Sequence, residues 1–448
     1  MWREETHLRV HATIDLKNHQ SGDNLQPIVS LNPQPWPSPM FRRIALVTPI
    51  LPMPFDPTRG RFIYETAKSL SRISQTKVYL QQARYPNISL LRPKSFVYGG
   101  LNTDYSLPDL DVDAYDYPAV PLVSRGINGL VSSKYLMARI KAFRPDVIIG
   151  YWVYPDGNAA LRVARNLGIP CVIGALGSDI HLRKGINATM TRRTLDSADA
   201  VIVVSQAMNK FTQNQFGTPP NKIHTIVNGY NTSTFFPRDR VSAREALGID
   251  TKIELITYVG RLIEAKGLLD LLNAFDAMHM ERPNLRLAVI GTGVLEDQLK
   301  KITKAKNIGD KIWFLGGQPP ETVALWLGAS QASTLPSWSE GYPNVVVESI
   351  ACGRPVVATD VGGTSEIIKH GENGLLVPAK DHQALRRALT DVLISSWDEA
   401  GIASGIHRSW DDVAAETLSV CEKLITRRTL NNESPAPIPD HESPPSNE

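Results

Sequence analysis

Residues 228–250 read NGYNTSTFFPRDRVSAREALGID. The first half of this stretch is made of Asn, Gly, Ser, Thr and Pro, the residues that interrupt regular structure. The text on either side of it decides the fold. Toward the N-terminus, RIALVTPI (43–50), KVYLQQA (77–83), DVIIGYW (146–152), CVIGAL (171–176), ADAVIVVS (198–205) and KIHTIVNG (222–229) read as strands. Helices are predicted among them over GRFIYETAKSLSRI (60–73), DGNAALRVARNLG (156–168) and QAMNKFTQNQFG (206–217). Beyond the break the alternation starts again. ELITYVGRL (254–262), LRLAVIGTG (285–293), KIWFLGG (311–317), ASTLPSW (332–338), PVVATD (355–360) and GLLVP (374–378) alternate with helical text such as GLLDLLNAFDAM (267–278) and NVVVESIACG (344–353). Strands that are apolar along their whole length belong to parallel sheets covered by helices on both faces. The reading is α/β, with two doubly wound domains and a cleft at the carboxyl ends of both sheets.

A chain of 448 residues is long enough for two separate cores. Both ends read as disordered: residues 1–39 close on LNPQPWPSP, and the chain finishes NNESPAPIPDHESPPSNE, proline-rich polar text that cannot offset its chain entropy by burial. Met40 is read as the start of the folded unit and as a candidate translation start. The expected layout is an extension over 1–39, a first domain over 40–235, a second over 236–408, a terminal helix over 409–428 and a tail over 429–448. A net charge of +3 gives no case for nucleic acid, but residues 40–200 carry about +9, so the remainder is acidic. Such a division suits either a membrane-surface or anionic-substrate face, or an uneven solvated surface. Cys171, Cys352 and Cys421 are too scattered for a metal set and read as buried free thiols. No run is long and apolar enough to span a bilayer, and the charged N-terminus lacks a signal-peptide core, so a cytoplasmic location is expected.

Several chemistries fail on motif. There is no G-x-G-x-x-G after a strand, no P-loop, no G-x-S-x-G elbow and no metal-ligand spacing. An anion site is indicated instead. ITYVGRLIEAKGLLDLL sets Arg261 just past a strand and Lys266 before the next helix, a fork and a point charge suited to a diphosphate, or else two solvated loop cations. Farther on, SEGYPNVVVESIACG (339–353) places Glu340, Gly341, Tyr342 and Pro343 in a turn and starts a helix at Asn344. The amides of Asn344, Val345 and Val346 are then expected as a second anion site. Glu348 lies one turn deeper among valines and isoleucine, where a carboxylate needs a partner. One ligand satisfies the set: a nucleotide sugar, with Glu348 on the ribose, Arg261, Lys266 and the amides on the diphosphate, and Glu340 on the sugar. Taken singly, Glu340 also reads as a dipole-complementing acid and Glu348 as half of a structural ion pair.

The pattern E-x7-E in EGYPNVVVE, preceded by GRLIEAKGLLDLL and followed by ACGRPVVATDVGGTSEII and GENGLLVP, resembles glycosyltransferase family 4, retaining enzymes of the GT-B fold. The likeness covers about 385 residues. TRGRFIYETAKSLSR resembles the family's glycine loop and first helix, IVNGYNTSTFFP its interdomain linker with Asn231 in place of an aspartate, and SWDDVAAETLSVCEKL the terminal helix that crosses back to the first domain. The resemblance implies two Rossmann-like domains, with Glu348 on the ribose and Arg261 and Lys266 on the diphosphate. It also implies Glu340 beside the reacting carbon, Gly60 close to the phosphates, and Asp179 of GSDI across the cleft as a second catalytic carboxylate. Many members carry a histidine where this chain has Leu176, so that residue's contribution does not carry over; His181 reads as an ordinary polar residue.

The function expected is transfer of a glycosyl unit from a nucleotide diphosphate sugar with retention, without metal or other cofactor, by a front-face route. YWVYPDG and GSDI look similar to exopolysaccharide and teichuronic-acid transferases, which implies a glycan or lipid-linked glycan acceptor in surface polysaccharide biosynthesis. A peripheral contact with the cytoplasmic membrane through the first domain fits that acceptor; Ser132–Arg144 reads either as an interfacial helix or, preferably, as a helix packed on the sheet. The alternatives are a nucleotide-sugar epimerase on the same fold and a non-catalytic sugar-nucleotide-binding protein.

Overall fold

The computed structural model describes residues 42–54, 56, 59–86, 105–121, 123–181 and 183–433. The expected extension over 1–39, Met40 and most of the expected tail lie outside these residues. Seven strands form the first sheet: β1 (Arg43–Thr48), β2 (Gln75–Arg84), β3 (Asp111–Pro118), β4 (Val147–Tyr151), β5 (Cys171–Ala175), β6 (Ala200–Val203) and β7 (Ile223–Thr225). They lie in the order β3-β2-β1-β4-β5-β6-β7, each pair parallel. Six form the second: β8 (Glu254–Val259), β9 (Leu285–Ile290), β10 (Ile312–Gly316), β11 (Ala332–Leu335), β12 (Val356–Thr359) and β13 (Gly374–Val377). Their order is β10-β9-β8-β11-β12-β13, again parallel. In both sheets the order reverses beside the first strand, between β1 and β4 and between β8 and β11, which is where a parallel sheet opens a crevice at its carboxyl edge.

Alternate residues of β1 enter different cores. Ala45 and Val47 join one apolar cluster of the first lobe, while Ile44 and Leu46 join the cluster on the opposite face. That second cluster includes Trp410, Val413, Ala414, Val420 and Cys421, which come from the last helix, Trp410–Glu433. The helix lies on the Arg61–Ile73 helix of the first lobe, with Arg72 Nη1 2.8 Å from Asp411 Oδ1. The expected crossing-back helix is therefore present, and it runs through Glu433 rather than stopping at 428. The chain passes between the lobes twice, and the two passages run side by side: Tyr230 N–H donates to Arg408 O at 3.0 Å, and Arg408 Nε to Val227 O at 2.8 Å.

Strand β3 was not predicted. Its sequence DVDAYDYP places acids where a covered strand has valines, and β3 occupies the sheet edge, where such charges are tolerated. Within the segment offered as an interfacial helix, the Asn128–Ile140 helix fully buries Ser132, Leu136 and Ile140, so this face packs inward. All three cysteines are buried free thiols. Among the described residues, no helix is long and apolar enough to cross a membrane.

Candidate active site between the two lobes

The loops after β8 and β11 converge. Trp338 N–H donates to Ala265 O at 2.8 Å, and its indole Nε1 donates to Asp270 Oδ2 at 2.8 Å, so the second loop is pinned across the first. This brings Lys266 Nζ to 2.5 Å from Glu340 Oε1, with the two side chains only 18% and 10% exposed. Lys266 and Glu340, expected on different parts of one ligand, form an ion pair in the structure. Arg261 stands exposed beside them. Its carbonyl accepts from Tyr258 Oη at 3.0 Å, while its guanidinium makes no hydrogen bond or ion pair with any described residue. A cation held by its backbone and left open at its tip is suited to an incoming anion.

The helix Asn344–Ala351 starts directly after Pro343, as predicted. One expectation is corrected. The amide of Val346 donates to Pro343 O at 3.0 Å and its side chain is fully buried, so Val346 offers no donor to a ligand. The amides of Asn344 and Val345 have no acceptor among the described residues and remain the open donors of this first turn. Asn228 Nδ2, from the passage between the lobes, donates to Asn344 Oδ1 at 2.8 Å and fixes that turn.

The carboxyl of Glu348 makes no hydrogen bond and no ion pair with any described residue, while the residue's backbone carbonyl accepts from Cys352 N–H at 3.1 Å. Part of its surface stays open, yet the protein crowded round its carboxyl raises its pKa to about 7. Burial is the main cause; Arg61 of the first lobe lowers the value and Glu65 raises it. Those two are themselves joined, Arg61 Nε to Glu65 Oε1 at 2.6 Å. A crowded carboxyl without a protein partner is the feature a ligand hydroxyl pair would complete.

Two further expected residues serve the scaffold. Asp179 is 0% exposed; its Oδ1 accepts from the amides of Leu176 at 2.9 Å and Gly177 at 2.8 Å, and its Oδ2 from Val153 at 3.4 Å. Burial raises its pKa against the pull of those amides. The expectation that Asp179 faces the sugars across the cleft is corrected: its carboxylate is spent on shaping the Leu176–Ser178 loop. Gly60 has φ +62 and begins the Arg61–Ile73 helix; an added Cβ would lie 2.6 Å from Ile50 O, so its immediate need for glycine is this local turn. Tyr342 packs its ring against the cores of both lobes, which pushes its hydroxyl up to about 12. At Gly341 a Cβ would come within 2.7 Å of Leu176 O, so only glycine lets the glutamate loop meet the first lobe this closely.

The first lobe contributes groups that the sequence reading did not select. Asp156 is 2% exposed, accepts from Gln81 Nε2 at 2.8 Å, and is raised by burial to about 7, with Arg183 and Arg59 acting the other way. Arg183 donates to Asp179 O at 3.0 Å and lies over the Trp152 ring, 5.5 Å from its centre. No spacing rule in YWVYPDG ties Asp156 to an arginine beyond the next strand. His181 packs against Phe211 with ring centres 4.2 Å apart and the rings tilted by 52°. Among the described residues no group of His, Cys, Asp and Glu has the makings of a metal site.

Comparison with known proteins fits this arrangement. Residues 96–234 match the family described as Glycosyltransferase Family 4, and residues 239–401 match Glycosyl transferases group 1. The D-inositol 3-phosphate glycosyltransferase of Pseudarthrobacter chlorophenolicus is 30% identical over 305 residues, covering 63% of this chain and 72% of that protein. The chain belongs to glycosyltransferase family 4. An uncharacterized glycosyltransferase of Methanocaldococcus jannaschii is 31% identical over 258 residues, 55% of this family-4 chain and 65% of the archaeal protein. The chain thus spans slightly less than two thirds of that relative. Among solved structures, Anabaena HepE in complex with UDP superposes with a TM-score of 0.66 at 17% identity, covering 86% of this chain and all of HepE. At that identity the likeness concerns the fold, which is GT-B.

Proposed function

We propose that this chain transfers a glycosyl unit from a nucleoside diphosphate sugar to a glycan or lipid-linked glycan, with retention at the anomeric carbon, in surface polysaccharide biosynthesis. The observation that carries the reading is the line of unsatisfied groups at the carboxyl edge of the second sheet: the open guanidinium of Arg261, the open amides of Asn344 and Val345, and the unpartnered carboxyl of Glu348, with the Lys266–Glu340 pair beside them. Ribose hydroxyls complete Glu348. The diphosphate takes Arg261, the two amides and a share of Lys266, which stabilise the charge that develops as the leaving group departs. Glu340, released in part from Lys266, turns to the sugar as it gains positive character. The UDP in the HepE complex supports this choice of ligand class. The acceptor is assigned to the carboxyl edge of the first sheet, where Trp152, Asp156 and Arg183 gather, and attacks from the face that the diphosphate leaves.

A surface of the first lobe supports a lipid-linked acceptor. Residues 117–145 contain five Lys and Arg and no Asp or Glu. In the same segment Val123 and Ile127 are 82% and 54% exposed, and Leu130 and Tyr135 are exposed with them. Apolar side chains interspersed with cations suit an anionic bilayer surface.

The test is a panel of UDP-, GDP- and ADP-sugars, scored by thermal shift and by turnover with free and vesicle-borne lipid-linked glycans. Loss of a charge-assisted partner should make Arg261→Ala bind the preferred nucleotide roughly 10- to 100-fold more weakly. Turnover is expected to be the same in EDTA as in magnesium. A parent protein that binds no member of the panel refutes the reading.

A further inference from the structure

The two lobes touch at a second acidic residue, Glu366, which the sugar-transfer reading leaves without a role. It comes from GGTSEII, directly after the Gly362–Gly363 turn of the second lobe. Its two carboxylate oxygens accept from backbone amides of the first lobe, 160 residues away: Gln206 N–H to Oε2 at 2.8 Å and Ala207 N–H to Oε1 at 2.8 Å. These are the first two amides of the Gln206–Phe216 helix, and Ser205 supplies the helix's own cap by accepting from Met208 at 3.1 Å. Glu366 thus fills the remaining positive end of a helix in the opposite lobe.

The contact continues into the glutamate loop. Gly363 N–H donates to Gly341 O at 3.0 Å, so the turn that carries Glu366 also holds the residue next to Glu340. Gly341 lies against the backbone of Leu176 and Gly177 and against Met208, the third residue of the helix that Glu366 caps. Tyr342 packs into both cores at the same place. Glu340 is therefore located by a short chain of contacts that begins at Glu366 and crosses between the lobes.

We infer that Glu366 is a positioning residue: by capping the opposite lobe's helix it sets the Glu340 loop against the first lobe, and so registers the donor sugar with the acceptor. The inference rests on the sugar-transfer reading for its kinetic consequence and on geometry alone for the lobe contact. In the proposed layout the nucleotide contacts come from Arg261, Lys266, Asn344, Val345 and Glu348, all within the second lobe, and nucleotide affinity should be insensitive to Glu366.

The test uses two variants that weaken the contact from opposite sides. Glu366→Ala removes the acceptor. Gln206→Pro removes one donor at the first helical position, where proline is tolerated and where the extended backbone of Ser205 already suits a following proline. Each should lower kcat about tenfold or more through misregistration, with the Kd for the free nucleoside diphosphate within about twofold of the parent. Spin labels at exposed Asn214→Cys and Lys369→Cys, with the native thiols buried, report the lobe separation, which should lengthen and broaden in both variants. Parent-like kcat, an unchanged label distance, or nucleotide affinity falling by the same factor as kcat overturns the inference. If the parent turns over no sugar nucleotide, the sugar-transfer reading has failed, and the label distance alone decides the role of Glu366.

Discussion

Glu340 and Glu348 stand eight positions apart, yet their surroundings separate them. Glu340 is tied to Lys266; the carboxyl of Glu348 has no partner among the described residues, and burial raises its pKa to about 7. Glu340→Gln releases Lys266 for phosphate, so the Kd for free nucleoside diphosphate should stay within about threefold while turnover falls, because a carboxylate beside a developing cation matters chiefly in the transition state. Glu348→Gln should weaken free nucleotide and intact donor alike. Affinity of the parent for a sugar nucleotide, whose diphosphate does not titrate in this range, should rise from pH 6 to 8 as Glu348 ionises between Arg61 and Glu65, and this slope should vanish in Glu348→Gln. Calorimetry at three pH values checks both. Equal nucleotide losses in the two variants contradict the assignment. The turn and helix start that carry these residues were legible because Pro343 marks the boundary. Asp179 misled for the opposite reason: a short acid after a strand reads alike whether it faces a ligand or caps its own loop, and only its three amide partners tell them apart.

The turn Val153–Gly157 that follows β4 shows how far an element can be read. Its strand was plain from four apolar residues, whereas the burial of Asp156 depends on Gln81 of β2, two strands across the sheet order. Edge strand β3 was invisible because its acids break the apolar pattern, whereas β4, β5 and β6 carry no charged residue and were legible. The turn also carries a measurable cost. The folded pKa of Asp156, about 7, lies above its ordinary 3.8, so the folded state holds the proton more firmly. Its contribution to stability is complete below about pH 4 and is lost as pH rises through 7, on the order of 4 kcal/mol at most. Asp156→Asn should therefore flatten the fall in denaturant-measured stability between pH 5 and 8. An unaltered slope in that variant would mean that other groups produce it.

At the scale of the whole molecule, each sheet could be read from its own text, but the contacts that register the lobes join residues far apart in sequence: Asn228 with Asn344, Gln206 and Ala207 with Glu366. No local pattern announces them. The terminal helix has a consequence of another kind, in the order in which the protein is made. Ile63, Ala67 and Leu70 of the Arg61–Ile73 helix share a core with Trp410, Val413 and Cys421. A ribosome releases the first lobe's strands long before it releases those partners, so a fold that otherwise assembles from its N-terminus must wait, with an apolar face uncovered, until the second lobe has been synthesised. A chain ending at His407 should bind a hydrophobic dye through that face and lose its cooperative unfolding, and a peptide of residues 408–433 added in trans should reverse both. Full-length behaviour without the peptide would mean that the first lobe closes its own core. A helix made after the second lobe thus becomes part of the wall of the lobe begun first.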